Sequence, residues 1–197
     1  MTRLFTAAVL TLWVIVPFAA AASTPLATVE SHVNRVLDVL RDPSLKGEAK
    51  KKIRQDRIRE ISEKMFDFAE LSRRTLAQNW NKLNDAQKKE FVDLYKSLLE
   101  RAYVDKIMSY TDEKIVFQKE ASLGEKTFEV QTVVLTRKTD IPINYRVIQK
   151  DDGWRVYDVV VEGVSLVNNY RSQFREILIN KTPDDLLETL RKKVGKT

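Results

Sequence analysis

The sequence has no cysteine, which excludes disulfide frameworks, thiol nucleophiles and thiolate metal sites. It has one histidine, His32, beside Val33 and among polar positions, where it reads as a surface or boundary residue. Zinc sites normally draw on several His, Cys or carboxylate ligands, so a site here would have to be all-carboxylate, and no convergent acidic motif is present. A serine triad would need His32 itself as its base. Neither a G-x-G-x-x-G string nor a P-loop occurs, so no phosphate-cradling glycine loop is indicated. Glycine and proline number five each. So few breakers suit long helices and regular strands rather than a loop-rich fold.

What the chain does contain begins with a leader. Arg3 precedes the apolar stretch from Leu4 to Phe18, and Ala20 and Ala22 then fit an A-x-A cleavage pattern. Residues 1–22 are expected to be a signal peptide cut after Ala22, leaving 23–197 as a single domain. An uncleaved anchor is the alternative, although the run is short for a membrane span. Hydrophobic residues make up 43% and charged residues 31% of the 197, enough for a packed core without disulfides. The net charge is +6, and removing Arg3 leaves +5. Acids and bases alternate between Lys50 and Glu60, as on a solvated helix face. For an exported protein, a basic surface suits anionic membranes or acidic partners better than nucleic acid.

Periodicity divides the mature chain into helices, a meander and helices again. Val29, Val33, Val36, Leu37 and Leu40 recur at helical spacing and stop before Pro43. A charged helix follows from about Lys46 to Met65. Asp67 caps a short helix, and Asn84 to Gln87 opens a long one as a capping box. The long helix has an apolar face of Phe91, Leu94, Tyr95, Leu98, Ala102 and Ile107. Segments at Ile115–Phe117, Phe128–Thr136, Ile141–Gln149 and Trp154–Val161 read as four strands, with turns at Leu123–Glu125 and Asp151–Gly153. Short connections make the sheet antiparallel. Phe128, Val130, Thr132 and Val134 share one face, opposite Ile143, Tyr145 and Val147. Leu166, Val167, Tyr170, Phe174, Ile177 and Leu178 form another helical stripe, and Thr182-Pro183 starts a last helix. The fold class is α+β, with helices covering one face of the sheet.

Carboxylates alone remain for catalysis, as in glycosidases. Asp67, Asp158 and Glu162 have the most apolar neighbours. Their structural reading is that Asp67 caps a helix while Asp158 and Glu162 pair with bases or close a strand end. The chain is therefore expected not to be an enzyme.

Three blocks carry a resemblance. Phe66-Asp67-Phe68-Ala69-Glu70-Leu71-Ser72-Arg73-Arg74-Thr75-Leu76, followed by Trp80, resembles the central motif of the MlaC family of toluene-tolerance auxiliary proteins. The helix with Gln87, Glu90-Phe91-Val92, Leu98-Leu99 and Tyr103 fits the next block. The run Gly153-Trp154-Arg155-Val156-Tyr157-Asp158-Val159, continuing through Glu162–Val167 and Asn169–Phe174, is long and irregular and is the strongest match. One departure is Ala77, where the family often has glycine, a change expected to matter little to a cavity.

The resemblance implies a cystatin-like or nuclear-transport-factor-like fold, a curved four-stranded sheet wrapped by helices around an apolar cavity. It implies a monomeric periplasmic carrier that holds a phospholipid by its tails and needs no cofactor. It implies two partners, an outer-membrane lipoprotein–porin complex and an inner-membrane ABC transporter with a membrane-anchored lipid-binding ring. Alternation and stripe logic place the sheet's share of the cavity wall at Val130, Val134, Ile143, Tyr145, Val147, Tyr157 and Val159. The helices add Leu98, Leu166, Val167, Tyr170 and Phe174. Arg171 is either near the mouth or in a surface salt bridge. A hopanoid carrier, an adaptor with a filled core and a carboxylate hydrolase are the competing readings.

Overall fold

The structure is a computed structural model that describes residues 23–110 and 112–196. The expected signal peptide and its cleavage site lie outside the described residues. Among the described residues, six helices and five strands follow in the order α1 (Pro25–Arg41), α2 (Lys51–Met65), α3 (Phe68–Leu76), α4 (Asp85–Met108), β1 (Lys114–Gly124), β2 (Thr127–Leu135), β3 (Asp140–Lys150), β4 (Gly153–Val161), β5 (Val164–Ser165), α5 (Leu166–Asn180) and α6 (Pro183–Val194). Short 3-10 turns join α1 to α2 and α3 to α4.

The sheet is an antiparallel meander in the order β1-β2-β3-β4-β5. It has one strand more than expected. β5 is two residues long, paired as Val160–Ser165 and Val161–Val164, and no periodicity is visible at that length. The turn before it is tight, with φ of 50° at Glu162 and 81° at Gly163. Val130 pairs with Tyr145 and Thr132 with Ile143, and β4 then sets Val159 opposite Tyr145 and Val161 opposite Ile143. Because side chains alternate along strands, this puts an apolar ladder on one face. Glu129, Arg146 and Asp158 run across the other, with Arg146 3.2 Å from Glu129 and 3.3 Å from Asp158. Register shifts interrupt β1 after Phe117 and the β3–β4 pair at Arg146/Val147. Such bulges bend and twist the strands that carry them.

Helix ends follow sequence chemistry. Asp67 accepts from the Glu70 amide and Thr24 from the Ala27 amide, while Asn84/Gln87 and Thr182/Asp185 close complete capping boxes. α1 lays Val29, Val33 and Leu37 on the apolar face of the sheet. The helices α3, α4, α5 and α6 pack mainly against one another, with α3 and α5 also touching β4. Ala102 and Ile107 do not face this core as their spacing suggested, and both are exposed. α4 runs on past its packing partner, since Arg101 already lies beside Gly195 at the end of α6.

Candidate functional site

A domain of this size usually has one contiguous core. Here the buried apolar residues fall into two clusters. The helical cluster centres on Phe91, Tyr95 and Phe174, whose rings meet edge-on or tilted at 5.3–5.6 Å. The sheet cluster joins Val29, Val33, Leu37 and Met65 to Val130, Val147, Val156 and Val159. Phe66 packs against both. Partly accessible apolar side chains fringe each cluster: Leu98, Tyr103 and Tyr170 on the helical side, and Ile115, Phe117, Ile143, Tyr145, Val161 and Leu166 on the sheet side.

Tyr145 shows what kind of seam this is. Burial alone pushes its phenol to about 12, so it lies deep in the protein mass. Its side chain nonetheless keeps accessible surface and makes no hydrogen bond among the described residues. Tyr145 is thus a half-buried apolar side chain at the fringe of the sheet cluster, with part of its surface open. The Tyr103 and Tyr170 phenols are likewise pushed up, chiefly by burial.

α5 is anchored across the seam. Asp158 is 1% exposed. Its carboxylate accepts from Ser165 Oγ at 2.6 Å and from the Val167 amide at 3.0 Å, beside Arg146. A carboxylate at a helix N-terminus satisfies free amides and favours the helix dipole. The next residues then diverge, Leu166 joining the sheet cluster and Val167 the helical one.

The wall expected from sequence is therefore divided. Val130, Val147 and Val159 are buried in the sheet cluster, and Val167 and Phe174 in the helical one. Leu98, Tyr170, Ile143, Tyr145 and Leu166 fringe the seam, and Val134, partly accessible, pairs with Ile115 and Ile141. Tyr157 stands apart. The bulge leaves it unpaired in β4, and it lies under the Arg74 guanidinium, 3.9 Å from its ring centre. Tyr103, Ile115, Phe117 and Val161 went unassigned. Tyr103 lies in a motif block, and Val161 falls on the β4 alternation, two residues after Val159.

Two of the charged candidates, Asp67 and Arg171, have structural partners. Asp67 caps α3 and pairs with Lys150 at 2.8 Å. Glu162 is exposed at the β4–β5 turn. Arg171 forms no ion pair among the described residues: its guanidinium donates to the Arg74 carbonyl at 2.8 and 3.2 Å, tying α5 to the end of α3. His32 Nδ1 is buried without a partner, and burial, with Arg35, Arg155 and Lys64 nearby, lowers its pKa. Among the described residues no group of acids and histidine is placed to hold a metal, and no helix is long and apolar enough to cross a membrane. An indentation of about 520 Å³ is lined by Phe66, Asp67, Phe68, Gln149, Lys150, Asp151, Asp152 and Arg155. Its Lys150 and Arg155 are paired with Asp67 and Asp152, so it offers a polar groove rather than an apolar chamber.

The family model described as MlaC protein matches residues 30–192. The chain belongs to the MlaC family. The intermembrane phospholipid transport system binding protein MlaC of Haemophilus influenzae is 24% identical over 119 residues, covering 58% of this chain and 56% of that protein. The chain thus matches about half the length of that curated MlaC relative. A phospholipid-binding protein from Ralstonia solanacearum, solved in complex with a phospholipid, superposes with a TM-score of 0.77 at 22% identity, over 88% of this chain and 98% of that one. At this identity the likeness is one of fold, and it agrees with the α+β architecture of this chain.

Proposed function

We propose that this protein is a periplasmic carrier that takes the acyl chains of a phospholipid into the seam between its two cores and moves the lipid between the outer and inner membranes. The observation that carries the reading is Tyr145, deep in the protein yet open. The wall is assigned to Leu98, Val134, Ile143, Tyr145, Leu166 and Tyr170, extended by Tyr103, Ile115, Phe117 and Val161. Val130, Val147, Val159, Val167 and Phe174 back that wall, and Tyr157 belongs to the α3 contact.

Family membership supports the reading, as do relatives named for phospholipid binding and transport. So does the energetics of the cargo. Exposing a methylene to water costs about 0.8 kcal/mol, so a diacyl lipid with roughly 30 of them faces over ~20 kcal/mol in free solution. A carrier offsets this by an apolar interior and needs no catalytic step. Its partners would be a lipoprotein–porin complex at the outer membrane and an ABC transporter with a membrane-anchored ring at the inner one. Transfer of a labelled phospholipid between two vesicle populations tests the shuttle: the protein should accelerate it. An unchanged rate would leave a binding protein without a transport role.

A further inference from the structure

We propose that Lys46 and Arg54 form a site for a phosphate group, that of the carried lipid's headgroup, beside the apolar seam. This rests on the carrier function above and adds a headgroup subsite to it. Leu40, Lys46, Arg54, Met108 and Tyr110 line a pocket of about 280 Å³ where the ends of α1 and α4 meet α2. Two cations line it and no acid does. Several neighbouring cations are paired: Lys51 with Glu48, Lys52 with Asp56, Arg57 with Asp42 and Arg59 with Asp56. Lys46 and Arg54 make no ion pair among the described residues.

Arg54 is held ready for a ligand. One terminal nitrogen donates to the Leu45 carbonyl at 2.9 Å, which fixes the guanidinium, while its Nε–H is buried and meets no acceptor. The Nε–H has no accessible surface, so the donors open to a ligand are those of the other terminal nitrogen, which makes no hydrogen bond among the described residues, and a guanidinium N–H matches the oxygens of a phosphate. Lys46, exposed at the rim, adds a mobile point charge.

Tyr110 ties the pocket to the seam. Its ring packs against the sheet cluster, and it also lines the pocket. Its hydroxyl accepts from Arg41 at 2.5 Å and donates to the Glu113 carbonyl at 2.7 Å, so the ring serves as a fixed partition. The pocket is below the usual volume of a site for a drug-sized ligand, roughly 300–1,000 Å³, and suits a headgroup rather than acyl tails.

The test compares the full exported chain with Lys46→Glu and Arg54→Met. The ligands are a short-chain phosphatidylcholine, whose net charge is zero, the diacylglycerol with the same tails, and inorganic phosphate. The wild type should bind the phospholipid about tenfold tighter than the diacylglycerol, the scale of one charge-assisted hydrogen bond. Each variant should lose that preference and keep its affinity for diacylglycerol. Lys52→Glu, at an exposed cation outside the pocket, should keep the preference. Equal binding of both lipids by the wild type overturns the headgroup site and leaves the carrier intact. Inorganic phosphate lost in the variants, with the phospholipid preference retained, assigns the pocket to free phosphate and also overturns it. Binding of neither lipid overturns the subsite and the carrier function together.

Discussion

Val130 and Tyr145 are partners on adjacent strands and face the same side of the sheet, yet they differ in packing: Val130 has no accessible surface, whereas Tyr145 does. The boundary between sealed core and accessible apolar surface passes between them.

Substitutions along this boundary should separate hydroxyl, bulk and charge. Tyr145→Phe removes a hydroxyl without a partner, so stability should stay within about 0.5 kcal/mol and bound lipid should not fall. Val134→Glu puts a carboxylate where tails are assigned, and lipid recovered per mole of protein should drop severalfold. Solvent extraction of each purified variant measures this. Normal lipid content in Val134→Glu would place that position outside the cavity.

Asp158 holds a buried junction of Arg146, Ser165 and the α5 N-terminus. Asp158→Asn leaves Arg146 facing an amide, and unfolding in urea should show a loss of about 3 kcal/mol. Lipid uptake should persist wherever the variant remains folded, because the junction positions α5 and does not touch the proposed tails. Abolished uptake by fully folded protein would give Asp158 a direct role.

Ala77 closes α3 with φ of 49° and ψ of −124°, a left-handed conformation that costs a residue with a Cβ on the order of 1–3 kcal/mol. Its methyl is exposed, so little packing is lost with it. Ala77→Gly should therefore stabilise the protein by about 1 kcal/mol, raising the melting temperature. The departure from the family's glycine is a backbone matter, felt at a helix end rather than in a cavity.

How far the sequence alone foretells this structure depends on the element. Two-residue alternation set Val130 and Thr132 on one face, opposite Ile143 and Tyr145 on the next strand, and the register then pairs Val130 with Tyr145 and Thr132 with Ile143, while capping chemistry marked the starts of α3, α4 and α6. Alternation breaks at Tyr157, where a bulge leaves the residue unpaired in β4 and its ring lies against Arg74. Helical spacing misleads at Ala102 and Ile107, because a stripe does not record where the packing partner ends. The division between Val130 and Ile143 is illegible for a deeper reason. A wall around free space and the layer behind it are both apolar, and only their packing separates them.

Glu70 supplies an acid-sensitive element. Hydrogen bonds and charge from Arg73, and then from Arg74, hold its carboxyl down to about 2 from an ordinary 4.5. A depressed folded value means that its stabilisation is complete above pH 4.5 and is lost as the pH falls towards 2. Glu70→Gln should lower stability at pH 7 by about 1–2 kcal/mol, since both arginines are partly solvated, and should flatten the slope between pH 4.5 and 2. Denaturation series at several pH values measure both effects. An unchanged slope would show that other carboxylates govern that range.

The central claim is that this chain carries a phospholipid by its tails. Protein exported from the full sequence and purified without detergent should show a native mass above that of the bare chain by one lipid, and solvent extraction should release that lipid as phospholipid. A released hopanoid would keep a carrier and change its cargo. Bare protein that also takes up no labelled lipid would contradict the account and favour an adaptor with a filled core.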